Sequence, residues 1–501
     1  MGKSEEINTY SGISLFKNTI YNLLGYGIPL IFALALIPSL IKGLGEERFG
    51  ILNLAWVVIG YFSFFDFGIG RALTKITAEK IGLNLSREIP DIFWTSFFLM
   101  LIISLTGTLV FIFITPILVY NFFNISKALQ TETLYTFYIL ALSVPVVTTS
   151  AGIRGVLEAY QKFGIINIIR IILGIFTFLG PLLCLIFTNS LFWIVLFLTF
   201  IRLVVWILYL RQCFKLNVNI KNQFNFNSSL IKQILKLSGW MTVSNIIGPL
   251  IIYLDRFLIG ALISAAAITY YATPYEVVTK LLLIPTALIG VLFPAFSASY
   301  LKDQDTSKKL FERGLKFIFL VLFPIVLLIV SFAHEGLNIW LGKKFAESSS
   351  LVLQLLSIGI LFNSIAQIPF IFLQGIGKPD IPAKVNLIEL PFYLLAMWIA
   401  IKELGINGAA LVWLLRILID TAILIFLANK MVSVHFDFKI GILFFLLMIF
   451  ALIAPFVVGD IILKTVFVFV VLFIFIIMAW KYFLLKEEKM FLISKIKTFG
   501  I

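Results

Sequence analysis

The sequence predicts an all-α polytopic membrane protein with about 14 transmembrane helices. Three observations predict it. Apolar residues make up 61% of the 501-residue chain and charged residues only 13%, whereas soluble domains run at roughly 45–50% and 25%. Long uncharged apolar runs recur, as at 92–120 and 440–459, each beyond the roughly 18 residues that mark a membrane-spanning helix. Basic residues are also distributed unevenly between alternate loops. Together these exclude a soluble multidomain enzyme and a disordered chain, which cannot be this apolar. Two cysteines, Cys184 and Cys213, and two histidines, His334 and His435, leave no disulfide framework and no thiolate metal site.

The same test along the chain gives fourteen spans in order: 18–41, 49–70, 92–118, 134–153, 165–187, 191–210, 240–261, 268–294, 315–332, 351–373, 385–401, 408–429, 440–458 and 465–480. They are numbered 1 to 14 below. Loops on the side of the N-terminus hold 26 Lys and Arg, the opposite loops hold 7, and 6 lie within spans. Positive residues favour the cytoplasmic side, so both termini are expected in the cytoplasm. The net charge of +14 is then a topology signal and a source of contact with anionic lipid, not a sign of nucleic-acid binding. No cleavable signal peptide is expected. The first 17 residues are polar, with Glu5 and Glu6, and the apolar stretch after them has full span length. The tail 481–501 places five lysines among Phe, Leu and Ile and reads as an interfacial amphipathic helix.

The two halves resemble each other. Span 1 carries Asn22, Gly25 and Pro29 and leads to Gly45-Glu-Glu-Arg-Phe-Gly50. Span 7 carries Asn245, Gly248 and Pro249 and leads to Ala267-Ile-Thr-Tyr-Tyr-Ala272. Leu157-Glu-Ala-Tyr-Gln-Lys162 aligns with Leu373-Gln-Gly-Ile-Gly-Lys378 at an offset of 216. The expected domains are a six-helix bundle over 1–210, a cytoplasmic linker over 211–239, a second six-helix bundle over 240–430, helices 13 and 14 over 440–480, and the tail. Six is an even number, so the bundles are parallel repeats around a central cavity, an arrangement suited to alternating access. The opposite loops are short. They leave no room for an extracytoplasmic catalytic domain, and no catalytic residues are expected.

The pattern Asn18 and Asn22, Gly45-Glu-Glu-Arg-Phe-Gly50, then Phe65-Asp-Phe-Gly-Ile-Gly-Arg71 resembles the opening of Wzx-type polysaccharide flippases of the MOP superfamily. The loop pair ending in Lys162 and Lys378 and the twelve-plus-two helix count are similar to that family too. The superfamily also holds the MATE drug exporters and the lipid II flippases. The resemblance covers about 1–430. It implies export of an undecaprenyl-pyrophosphate-linked oligosaccharide repeat unit for O-antigen or capsule assembly across a bacterial inner membrane. H+ or Na+ is the candidate coupling ion, a polysaccharide polymerase is a candidate partner, and no cofactor is expected. A monomer suffices to form a cavity. A MATE-like cation exporter and a lipid II flippase are the alternatives, with a membrane enzyme or a scaffold further off.

Ionisable residues at membrane depth cost roughly 2.5–3.5 kcal/mol each and default to functional hypotheses. The candidate cavity cations are Arg256, Lys280, Arg202, Arg416 and Arg170, because Arg grips phosphate oxygens bidentately and Lys acts as a point charge. The candidate coupling or gating acids are Asp255, Glu276, Glu389, Asp420 and Asp66. Glu276 and Lys280, like Arg416 and Asp420, are four apart and share a helix face. The depths of Asp255, Arg256, Glu276 and Lys280 predict one cluster in spans 7 and 8. The same side chains could instead serve only as salt bridges between helices. Pro29, Pro249, Pro285 and Pro369 offer kinks, and Tyr253, Tyr270, Tyr271 and Tyr275 offer stacking surfaces or an interfacial belt. His334-Glu335 lacks the second histidine of a zinc protease, and Gly375-Ile-Gly-Lys378 has the wrong spacing for a nucleotide loop. Asn124-Ile-Ser126 matches a glycosylation triplet, without meaning in a bacterial chain.

Overall fold

The computed structural model describes residues 12–62, 66–83, 85–216, 218–232, 234, 253–299, 304–432, 460–483 and 489. Among them every regular element is helical. Among the described residues nine helices are long and apolar enough to cross a membrane, and one of them, Asp380–Met431, is 52 residues long. It holds spans 11 and 12, which meet at Gly405 with φ 62° and ψ −143°, a conformation that glycine adopts without steric cost. Span 2 is the 17-residue helix Glu46–Phe62. Span 8 is broken in two, Ala265–Thr279 and Leu283–Ser299, by a 3-10 turn at Lys280–Leu282. Span 13, most of span 7 with Asn245, Gly248 and Pro249, and the tail beyond 483 apart from Lys489 lie outside the described residues. Large apolar side chains such as Phe113 and Phe187 point outward. That is costly in water and neutral in lipid.

The chain forms two compact units. The first comprises Met1–Ala272 with Leu394–Ala409, and the second Thr273–Tyr393 with Ala410–Ile501. In the first, spans 3 to 6 close around Leu73, Phe93, Ile153, Val156, Val205 and Cys213. The stretch expected as a linker packs onto this core. Ile220 and Ile234 are buried in it, Trp94 Nε1 donates to the Ile220 carbonyl at 2.9 Å, and the Asn227 amide donates to Thr95 Oγ1 at 3.0 Å. The second unit has its own core around Phe296, Phe311, Phe323 and Phe372. Span 14 contributes Val471 and Phe475 to it, with the Phe475 ring 4.8 Å from Phe323.

The repeat found in the sequence has a counterpart in the backbone. Helix Lys127–Ala159 ends where the Lys162 amide donates to the Leu157 carbonyl at 3.0 Å and the Gln161 amide to Glu158 at 2.9 Å. Helix Lys343–Gly375 ends the same way, Lys378 to Leu373 at 2.9 Å and Gly377 to Gln374 at 3.1 Å. Both are Schellman caps, which need a left-handed residue. Gly377 supplies it at φ 80° without penalty, and Gln161 at φ 57° carries a cost of about 1 kcal/mol. Keeping the same cap with an unfavourable residue argues that the two turns descend from one design.

Candidate functional site

Span 6 is the helix Leu191–Leu216, and Arg202 stands near its middle. At 1.5 Å per residue it lies about 16 Å from one end and 21 Å from the other. The residue is only 9% exposed. One guanidinium nitrogen donates to the Leu198 carbonyl of its own helix at 3.1 Å. No carboxylate among the described residues forms an ion pair with it. A guanidinium has five N–H donors, so a buried positive charge here keeps most of its donors for something other than an acidic side chain.

Span 12 carries Arg416. The i, i+4 spacing puts Asp420 on the same helix face, but the ion pair that Arg416 forms is with another helix. Arg416 Nε donates to Glu389 Oε2 at 3.1 Å across 27 residues of sequence, from span 12 to span 11. A second nitrogen donates to Asn386 Oδ1 at 3.0 Å, and the guanidinium lies 5.5 Å from the Tyr393 ring centre. The side chains of Arg416 and Glu389 are 12% and 11% exposed. This is a buried ion pair with its cation largely satisfied, a structural tie between two helices. Asp420 is half-buried one turn beyond and forms no ion pair among the described residues.

Asp255 and Arg256 are both buried. The Asp255 carboxylate accepts from the Arg256 amide at 2.7 Å and from the Tyr271 hydroxyl at 2.7 Å. Tyr271 is therefore a buried strut for an acid, not a stacking surface. The Arg256 guanidinium lies 5.7 Å from the Tyr253 ring centre. Tyr270 and Tyr275 are also buried, the latter edge-on to Trp413 at 5.9 Å. Glu276 and Lys280 form the expected one-turn pair, Nζ to Oε2 at 3.2 Å, with both side chains about a third exposed. Lys280 opens the 3-10 turn that interrupts span 8, and Pro285 follows it. Short 3-10 stretches inside a long helix often mark hinges.

Two sequence candidates have local roles. Asp66 accepts from the amides of Gly68 and Gly70, each at 3.0 Å. It thus caps the helix Ile69–Gly82, reached through Phe67 at φ 50° and Gly68 at φ 76°. Arg170 donates to Asn167 Oδ1 one turn earlier at 2.9 Å. Asn167 in turn packs so closely on Gly25 of span 1 that an added Cβ would lie 2.2 Å from its Oδ1.

Other polar groups escaped the sequence reading. Lys464 Nζ, on the loop side of span 14, binds Glu335 Oε1 at 2.8 Å. Burial raises the Glu335 pKa, but the hydrogen bond and charge of Lys464 outweigh it and leave it below the ordinary carboxylate value. Asn124 holds three backbone contacts at the turn after residue 262. Its neighbours in sequence gave only a glycosylation pattern, and backbone partners leave no trace in side-chain identity. An apolar recess of about 510 Å³ opens among Tyr61, Phe67, Ile102, Val110, Phe111 and Phe257.

Long apolar helices carrying buried charges mark a multi-pass membrane protein. The fold is that of a multidrug resistance MATE family transporter of the MOP superfamily, which matches 83% of this chain and 94% of its own at a TM-score of 0.69 and 14% identity. The lipid II flippase MurJ in an inward closed conformation matches 92% and 98% at 0.67 and 15%. Residues 15–300 match the polysaccharide biosynthesis protein family, and the chain belongs to that family. A Shigella flexneri protein named for O-antigen transport is 30% identical over 426 residues, 84% of this chain and all of the relative.

Proposed function

We propose that this protein is a flippase for polyprenyl-pyrophosphate-linked oligosaccharide repeat units in the assembly of a surface polysaccharide. The observation that carries the reading is the match along the whole length of a relative named for O-antigen transport. The chemistry of the chain agrees with it. Arg202 is a buried cation with no acidic partner among the described residues, and a pyrophosphate is the kind of anion such a site attracts. A cation exporter would gain nothing from it.

Alternating access of the two repeats carries the head group across the bilayer. Arg202, Arg256 and Lys280 bind the pyrophosphate. Arg416, already engaged by Glu389 and Asn386, holds two helices in register, and Arg170 is held within its own helix by Asn167. Lys280 exchanges Glu276 for the incoming phosphate at the break in span 8, which bends there. Glu276, Asp255 and Asp420 are the acids through which H+ or Na+ couples to transport, with Glu389 tied to Arg416 and Asp66 to a helix cap. The apolar recess beside Tyr61 and Phe257 takes part of a prenyl chain. The protein sits in the inner membrane as a monomer, with both termini in the cytoplasm against anionic lipid, and it delivers its cargo to a polymerase.

The test is the leaflet distribution of lipid-linked oligosaccharide in cells deleted for this gene. Accumulation on the cytoplasmic face, relieved by the wild-type gene, is the expected result. Absence of accumulation, with altered sensitivity to cationic drugs, would replace this reading with that of an exporter.

A further inference from the structure

The stretch that follows span 6 is folded inside out for a loop in water. Its polar groups turn onto the start of span 3, the helix Ile89–Ile117. Asn225 Nδ2 donates to Asp91 Oδ1 at 3.2 Å, the Asn227 amide donates to Thr95 Oγ1 at 3.0 Å, and the Ile220 carbonyl accepts from Trp94 Nε1 at 2.9 Å. Its two aromatic rings lie outward, Phe224 at 66% exposed and Phe226 at 47%. The Phe224 ring centre is 4.5 Å from that of Trp94 and 5.2 Å from that of Phe98, and the Phe226 ring centre is 6.2 Å from that of Phe98.

The face that these rings cover is the apolar outer face of span 3. Trp94 and Phe98 continue at helical spacing into Ile102, Leu105, Leu109 and Phe113, each at least 48% exposed. Depth follows from helix length. The helix has 29 residues, about 44 Å at 1.5 Å per residue, which is the thickness of a bilayer with its headgroup layers. Trp94 and Phe98 lie about 8 and 14 Å from its first residue. Phe224 and Phe226 therefore sit where headgroups give way to hydrocarbon. The charge of the stretch is one-sided. Residues 211–239 include five Lys and Arg and no acid. Arg211, Lys215, Lys221 and Lys232 are exposed, and none of the four has an ion pair among the described residues.

We propose that the linker between the repeats is a lipid-binding strap. Phe224 and Phe226 enter the leaflet beside them, and Arg211, Lys215, Lys221 and Lys232 hold the headgroups of anionic phospholipid there. The inference rests on the transport reading above only for the name of that leaflet, the cytoplasmic one. Apolar rings at the boundary and cations on long stems are the combination that binds a bilayer surface. Each basic residue near an anionic surface strengthens attachment about fivefold. The sugars of a cargo would need hydrogen-bonding groups beside the rings, and Asn225, between the two in sequence, is committed to Asp91.

Phe226→Cys, in a background carrying Cys184→Ser and Cys213→Ala, accepts a nitrobenzoxadiazole label for vesicles of phosphatidylcholine and phosphatidylglycerol. Quenching by lipid with a doxyl group near the headgroup is expected to exceed quenching by aqueous iodide. Doxyl-labelled phosphatidylglycerol should quench at least about twofold more than doxyl-labelled phosphatidylcholine at equal mole fraction. Lys215→Gln, Lys221→Gln and Lys232→Gln together should lower that ratio toward one. Quenching mainly by iodide puts the linker in water and overturns the strap. Equal quenching by the two lipids with the lysines in place overturns it as well. Loss of lipid quenching on addition of soluble oligosaccharide gives the surface to the cargo and has the same consequence. A second measurement needs no cysteine. Native mass spectrometry of the wild-type protein from mixed lipid should show phosphatidylglycerol retained over phosphatidylcholine, with fewer phosphatidylglycerol molecules on the triple lysine variant. Equal numbers on the two proteins overturn the proposal. Neither measurement uses translocation, so both remain decisive if the transport reading fails.

Discussion

Arg202 and Arg416 occupy corresponding helices of the two repeats, spans 6 and 12, and their surroundings differ. Arg416 is held by Glu389, Asn386 and the Tyr393 ring. Arg202 has its own helix's Leu198 carbonyl and no carboxylate among the described residues. Two arginines on equivalent helices thus have different partners. One joins two helices through a satisfied pair, and the other presents a buried positive charge.

The comparison breaks most visibly at Arg416. Arg416→Ala leaves the Glu389 carboxylate buried beside Asp420, and stranding one member of a buried pair costs about 3–5 kcal/mol. Abundance in the membrane should fall, and the combined Arg416→Met, Glu389→Met variant should recover most of it. Abundance unchanged by Arg416→Ala would mean the pair is not structural. At Arg202 the expected effect is on transport. Arg202→Gln should lower export by roughly ten- to a hundredfold, the worth of one charged hydrogen-bonded contact of about 1.5–3 kcal/mol, with abundance kept. Arg202→Lys should retain part of the export. A parallel loss of abundance and export would make Arg202 structural and dissolve the contrast.

The Lys464–Glu335 pair sharpens the comparison outside the spans. Because the Glu335 pKa is lowered in the folded protein, its stabilisation is full above the ordinary carboxylate value and is lost as pH falls through the lowered one. Lys464→Met should lower thermal stability at neutral pH by about 1–2 kcal/mol, between exposed and buried pairs. The difference from wild type should shrink in acid, and a pH-independent difference would assign the effect to packing. Asn386→Ala should cost least, about 1 kcal/mol for a hydrogen bond to a charged group with another partner in place. Thermal unfolding in detergent reads it. A loss as large as that of Arg416→Ala would mean that Asn386, not Glu389, carries the tie.

The membrane class was legible because apolar run length is a one-dimensional property, and nine of the described helices are long and apolar enough to cross a membrane. The repeat was legible too, and its clearest segment, Leu157–Lys162 against Leu373–Lys378, is where the two backbone caps coincide. What the sequence hid was partner choice. Spacing showed that Arg416 and Asp420 share a helix face. Glu389 reaches Arg416 from another helix, and spacing along one helix carries no information about that. Lys464 and Glu335 are 129 residues apart for the same reason. The break at Lys280 is hidden among good helix formers, with only Pro285 nearby as a cue. The contacts of Asn124 depend on backbone groups, which every residue has.

The central claim is movement of a pyrophosphate-linked oligosaccharide that depends on Arg202. The most direct measurement is translocation of a fluorescent polyprenyl-pyrophosphate oligosaccharide in proteoliposomes, read by access to a membrane-impermeant quencher. The account predicts transfer by the wild-type protein well above protein-free vesicles, and loss of most of it in Arg202→Gln but not in a folded Arg416→Met, Glu389→Met variant. Transfer by Arg202→Gln at the wild-type rate would contradict it.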